Sequence, residues 1–255
     1  MMEERTAKIL EAAVKEFIKS GHPISSLELY KKYDFGVRPA TIRAELNYLT
    51  SHYFLEQPHH SAGRQPTDLG YRFFADISAK SNFSDSLIER CQNFFKTDDM
   101  GDFIKTFSEG LKVFGVSYEK DAGAARKEGL RFLVERLEGQ PASDISQIIG
   151  ELESIEERIS RFGDFFSEDG PKVFIGQSNP FVRNENLAVI GGRYCLEKGR
   201  EVVVLAVGPK RMNYQKAVGV FKNLTAGSSQ RSNKVANQLN KNKRSKNLIS
   251  KKLRK

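Results

Sequence analysis

Apolar residues recur at helical spacing over residues 3–19, where Ile9, Leu10, Ala13, Val14, Phe17 and Ile18 share one face. Gly21 ends that helix and Pro23 cannot continue it. Ser25 and Glu28 have capping-box spacing and open a short second helix, roughly 26–33. Asp34-Phe35-Gly36 is a turn, and Pro39 suits the first position of a third helix, where its missing N–H costs nothing. In that third helix Ile42, Leu46 and Leu49 form the buried stripe, while Arg43 and Asn47 stand at i and i+4 on another face. Two helices joined by a short turn containing Gly predict a helix-turn-helix. Tyr53-Phe54-Leu55-Glu56 reads as a short strand, and 58–66 as a basic loop with prolines at both ends and Gly63 for a tight turn. Thr67 is a good N-cap for a fourth helix running to about Ile77. A helix narrow enough for the major groove beside a cationic loop is the layout of a winged-helix DNA reader, so residues 1–77 are expected to be one.

A linker near 78–84 leads to four stretches with helical periodicity. Residues 85–96 would bury Leu87, Ile88, Cys91, Phe94 and Phe95; residues 102–114, Phe103, Ile104, Phe107, Leu111 and Phe114; residues 122–138, Leu130, Leu133, Val134 and Leu137. Residues 144–162 carry Ile145, Ile148, Ile149, Leu152, Ile155, Ile159 and Phe162 in a nearly heptad stripe, which suits either a partner subunit or an intramolecular core. The texture then turns to strands: Lys172–Gly176, and a hairpin of Leu187–Leu196 and Arg200–Val207 around Glu197-Lys198-Gly199. Gly191-Gly192 reads as a bulge rather than a phosphate cradle. A last helix spans about 212–224, and from 225 to 255 Ser, Asn, Gln and Lys dominate, a composition expected to be disordered. The fold class is therefore α+β, with a helical segment at 85–138 and an α+β core at 140–224.

Composition narrows the function. The chain of 255 residues is long enough for two small cores. No apolar run approaches the ~18–20 residues that span a bilayer, and the opening Met-Met-Glu-Glu-Arg leads straight into helical periodicity, so no signal peptide and no membrane partner are expected. Cys91 and Cys195, neither in a metal-ligand pair, suit a reducing compartment, and the cytoplasm is the expected location. The net charge of +9 is uneven. Residues 1–80 carry 11 Lys/Arg against 10 Asp/Glu, residues 81–207 carry 16 against 22, and residues 208–255 carry 14 against none. The basic excess thus lies outside the proposed reading head, and bulk charge cannot be what gives sequence-specific binding. The ten Lys/Arg of 231–255 suit either backbone contacts with nucleic acid or a solvated tail. No Ser-His-Asp set, Cys-His pair, zinc spacing or Walker-type loop is present, so neither an enzyme nor a cofactor or metal is expected.

The candidate DNA-binding residues are Arg38, Thr41, Arg43, Asn47, His60, Ser61 and Arg64. Arg43 can bond guanine O6 and N7 together, and Asn47, one turn on, has the chemistry to pair adenine in the same way. Arg38 and Thr41 lie near a helix N-terminus, where N–H groups and the dipole favour phosphate. Arg64, between Gly63 and Pro66, is the expected loop contact, with His60 and Ser61 as polar tips.

Ala40-Thr41-Ile42-Arg43 and the run Ser61 to Phe73 resemble the heat-inducible transcription repressors called HrcA. A second match follows in the same order: Val173-Phe174-Ile175-Gly176 with Asn179-Pro180, then Gly208-Pro209-Lys210-Arg211-Met212-Asn213-Tyr214. The resemblance implies a homodimeric repressor whose winged helix binds an inverted-repeat operator in double-stranded DNA upstream of chaperonin operons. It further implies a GAF-like α+β domain interrupted by a dimerisation insert, and the chaperonin as a partner that keeps the repressor active. Set against the family pattern the chain is short, and the shortfall is expected between 80 and 140, so that the GAF-like part is reduced and 85–138 is a helical, reduced dimerisation region. Arg38-Pro39 replaces the usual pair of serines and Ala44 stands where the family often has Asn, which points to an altered operator sequence. Two alternatives stay open: a ligand-sensing winged-helix regulator that uses the GAF-like part, and a winged helix that makes protein contacts only.

Overall fold

The computed structural model describes residues 2–135, 141–166, 170–196 and 199–225. The predicted tail lies outside the described residues, apart from its first residue, which closes the last helix.

Local chemistry sets the first elements. Helix α1 (Glu4–Ser20) buries Ile9, Leu10, Ala13, Val14 and Phe17, and stops where Gly21 takes a left-handed φ of 76° and donates its N–H to the Phe17 carbonyl. Helix α2 (Ser26–Lys32) starts on a complete capping box: Glu28 N–H donates to Ser25 Oγ, and Ser25 N–H to Glu28 Oε2 at 2.8 Å. Helix α3 (Pro39–Ser51) opens on Pro39 and buries Ile42, Leu46 and Leu49. Strands β1 (Leu55–Glu56) and β2 (Gln65–Pro66) pair antiparallel, and helix α4 (Asp68–Lys80) follows with Thr67 as its side-chain cap. Tyr53, placed in a strand by its sequence, instead takes a left-handed turn at φ 62° between α3 and β1.

Glu16 ties α1 to α2. Lys32 and Tyr33 both donate to its buried carboxylate, Tyr33 Oη at 2.8 Å, with Lys19 alongside. The Lys32 hydrogen bond outweighs burial and, with Tyr33 and the lysine charges, holds the carboxyl down at about 2 against an ordinary 4.5. A carboxyl lowered by folding stabilises the native state above its unfolded pKa. That contribution, on the order of 2–3 kcal/mol, drains away as pH falls from about 4.5 to about 2. Urea melts at pH 7, 4 and 3 are expected to show this acid loss in the native chain and a flatter profile in Glu16→Gln, which starts from a lower stability at pH 7.

The rest of the chain is three-layered. Helices α5 (Ser86–Lys96) and α6 (Met100–Leu111) precede strands β3 (Phe114–Glu119) and β4 (Ala124–Glu128). Helices α7 (Leu130–Val134), α8 (Ala142–Glu153) and α9 (Ile155–Phe162) lead to β5 (Lys172–Ile175), β6 (Leu187–Cys195), β7 (Glu201–Pro209) and α10 (Tyr214–Thr225). The strands form one antiparallel sheet in the order β4-β3-β7-β6-β5. Its Ile175, Ala188, Ile190, Val202 and Val204 pack in one core with side chains from α1, α4, α5, α6 and α10. Val116, Val189, Val203 and Leu205 pack in the other with Ile148 and Leu152 of α8 and Ile155 and Ile159 of α9.

This arrangement keeps the α+β class and corrects the middle of the chain. Residues 114–128, expected to be helical, are two strands, so the GAF-like sheet has five strands rather than three. The cause is burial: Phe114 to Tyr118 are covered on both faces, which removes the alternation that marks a strand. Strand β4 is exposed and polar, and carries no apolar pattern at all. The stripe over 144–162 divides at Ser154 into α8 and α9 and packs on the chain's own sheet, the intramolecular alternative. Gly191 and Gly192 form no bulge; both stay in the β6–β7 register, opposite Leu205 and Val204. A Cβ on Gly191 would run into Phe166 and Leu205, and one on Gly192 into the Tyr194 ring, so close packing is what requires them.

The two motif sets picked out by sequence meet in space. Lys210 pairs with Asp68 at the first turn of α4, and Tyr214 is fully buried against Tyr71 and Phe74, ring centroids 6.2 and 6.3 Å away. The Arg211 guanidinium lies against Gly21, and the Asp68 carboxylate against Gly176, at φ 70°.

Candidate nucleic-acid interface

Helix α3 is held to the head by one side and leaves another open. Ile42, Leu46 and Leu49 face the core. Arg5 Nη2 donates to Glu45 Oε1 at 2.7 Å and Thr6 Oγ1 to Glu45 Oε2 at 2.7 Å, which fixes the helix on α1. Burial would push the Glu45 carboxyl up, but these two bonds and the Arg5 charge win and lower it. Arg43, Ala44, Asn47, Tyr48 and Ser51 are left exposed.

The loop after β1 closes on itself and returns to this helix. Gln57 Nε2 donates to the carbonyls of His60 and Ala62 at 2.9 and 3.0 Å. Gly63 is not at a positive φ, so the tight-turn reason for it fails. A Cβ there would stand 2.5 Å from the Ile24 carbonyl, and close approach of two backbones is the reason for glycine. The next residue uses that approach: Ile24 and Arg64 exchange both backbone hydrogen bonds at 2.8 Å. With its backbone so placed, Arg64 crosses to α3. Its Nε donates to Thr50 Oγ1 at 3.0 Å and its Nη2 to Asn47 Oδ1 at 2.7 Å. Burial, and after it the neighbouring Arg43 charge, pulls the Arg64 pKa down, though a guanidinium stays charged at any working pH.

The predicted residues therefore fall into three places. Arg43, Asn47 and Arg64 form one cluster on the open side of α3. Arg38 and Thr41 are at its N-terminus, Arg38 exposed as the N-cap residue and Thr41 half-buried in the first turn. His60 and Ser61 are exposed in the loop. Sequence reasoning missed Thr50, which receives Arg64; it stands at i+7 from Arg43, so helical spacing alone offered a signal. It also missed Tyr48, 44% exposed, whose ring lies 4.0 Å from that of His52 at the end of α3. Such a surface offers N–H donors and positive charge to an anionic, acceptor-rich partner.

Between the sheet and α9, Phe166 and Phe181 stack at 5.2 Å with Phe174 edge-on to both, and the first two are fully buried. No helix among the described residues is long and apolar enough to cross a membrane.

Comparison with known proteins bears on the same regions. The family described as the HrcA protein C terminal domain matches residues 72–218. A heat-inducible transcription repressor HrcA of Carboxydothermus hydrogenoformans is 33% identical over 181 residues, 68% of this chain and 52% of that protein. Another, of Thermodesulfovibrio yellowstonii, is 48% identical over 88 residues, 34% of this chain and 25% of that protein. The chain thus spans about half the length, or less, of the curated relatives it matches. Among solved structures, a hypothetical protein determined by crystallography at 2.2 Å superposes with a TM-score of 0.72 at 17% identity, over 90% of this chain and 98% of the other. That likeness speaks to the fold alone.

Proposed function

The chain belongs to the HrcA family, and from that premise we propose that it is a sequence-specific, DNA-binding repressor of heat-shock operons, the chaperonin operons above all. In this reading two copies bind an inverted repeat, each setting α3 in the major groove and its loop on the neighbouring backbone. Arg43 and Asn47 contact base edges, Arg38 and Thr41 hold phosphate at the helix start, and Arg64, His60 and Ser61 extend the contact from the loop. The chaperonin is the partner whose occupation by unfolded protein releases repression, and the cytoplasm, where the operator is, is the working compartment. The observation that carries the reading is the open side of α3: Arg43 and Asn47 exposed next to Arg64, with Ile42, Leu46 and Leu49 turned to the core. With residues 1–80 near neutral overall, what they contribute to affinity comes from this local cluster.

Fluorescence anisotropy tests the reading. At ~0.15 M salt the full chain is expected to bind an inverted repeat from upstream of its own organism's chaperonin genes at least ~10³-fold more tightly than a scrambled duplex. Equal affinity for the two would reject it.

A further inference from the structure

The tip of the loop after β1 is held from inside by one side chain. Ala62 N–H donates to the His59 carbonyl at 2.9 Å and closes a turn with His60 and Ser61 at its corner. Gln57 stands at the stem, one residue past the pairing of Glu56 with Gln65. Its Nε2 donates to two carbonyls of the turn, His60 at 2.9 Å and Ala62 at 3.0 Å, which takes both amide hydrogens. Peptide carbonyls only accept, so the amide has to present its NH₂ here.

A trans peptide sets its C=O and its N–H in opposite directions. With the His60 carbonyl turned to Gln57, the Ser61 N–H points the other way, and no described residue accepts from it. Ser61 is exposed, so one residue at the tip carries an open backbone N–H and a hydroxyl. Both are donors of the kind that contact phosphate oxygens in protein–DNA complexes. We propose that the Ser61 N–H is a phosphate anchor and that Gln57 is the positioning residue that aims it. The proposal rests on the DNA-binding reading above and gives the loop tip its ligand, a backbone phosphate. The anchor carries no charge, so it strengthens binding to any sequence and adds little to the salt dependence.

Methylphosphonate scanning provides the test, because exchanging one phosphate oxygen for methyl removes an acceptor and a charge at a single site. Operators substituted at one phosphate per half-site are titrated with the native chain and with Gln57→Met, which keeps the length and has no donor. In the native chain, substituting the phosphate that faces Ser61 is expected to lower affinity ~10-fold. In Gln57→Met that penalty should shrink to about twofold, with the penalties outside the loop's reach unchanged. The variant should bind unsubstituted operator and scrambled duplex ~5-fold more weakly alike, with the same salt slope. Thermal melts establish that it folds; should it not, Gln57→Asn, whose amide falls one carbon short of the two carbonyls, takes its place. A folded variant whose penalties match the native chain's at every phosphate, or fall at all of them alike, overturns this inference and leaves the repressor reading standing. Equal native affinity for operator and scrambled duplex overturns that reading, and this inference with it.

Discussion

Arg43→Ala is expected to lower affinity for the operator by about 5–150-fold per half-site while lowering affinity for scrambled duplex far less. The factor follows from the ~1–3 kcal/mol that a bidentate arginine–guanine contact adds against the wrong base. A dimer on a two-fold operator loses it twice, which makes this the largest functional effect of any single substitution in the head. Folding should be untouched, because Arg43 is exposed on α3 and the helix is held by Ile42, Leu46, Leu49 and the Arg5–Glu45 bonds. Anisotropy titrations of both duplexes across a salt series separate the roles. A base contact removes discrimination at every salt concentration, whereas a phosphate contact weakens both duplexes alike and lowers the salt slope by about one. Equal weakening of the two duplexes would move Arg43 from reading to anchoring.

The largest stability effect should come from a residue far from that surface. Tyr214 is fully buried where α10 meets α4, its ring packed on Tyr71 and Phe74. Tyr214→Ala deletes the ring and leaves a cavity between the head and the sheet domain, a change that costs about 3–5 kcal/mol. For a chain of this size that is a fall in Tm of roughly 6–20 °C. Tyr214→Phe should behave differently. The Tyr214 hydroxyl has no hydrogen-bond partner among the described residues, so its removal relieves a buried unpaired polar group. Scanning calorimetry is expected to show the Phe variant equal to or slightly above the native chain. A Phe variant that melts as early as the Ala variant would mean that the hydroxyl is bonded after all.

The two predictions also divide what sequence could and could not reveal. The starts of α2, α3 and α4 are legible because Ser25, Pro39 and Thr67 act within three residues of themselves. The open side of α3 was legible for the same reason: helical spacing fixes which residues share a side. Contacts between distant segments were not. Both Asp68 and Lys210 stand out as motif residues, yet nothing in a linear reading says that positions 142 apart form an ion pair. Sequence alone makes Arg64 a loop contact, and the Ile24 pairing explains why its guanidinium reaches back to Asn47 and Thr50. Strands β3 and β4 were missed for opposite reasons, one too buried to alternate and the other too polar to register as a strand.

Strand β4 has one more consequence. It is the outer strand of its sheet, with Arg126, Lys127 and Glu128 in succession and one side unpaired. An open rim invites a second chain to continue the ladder. A two-fold copy laid antiparallel along it and centred on Arg126 or Lys127 would set that residue opposite its own twin, and like charges facing across strands repel. Charged side chains along the outer strand thereby oppose edge-to-edge growth of the sheet in those registers.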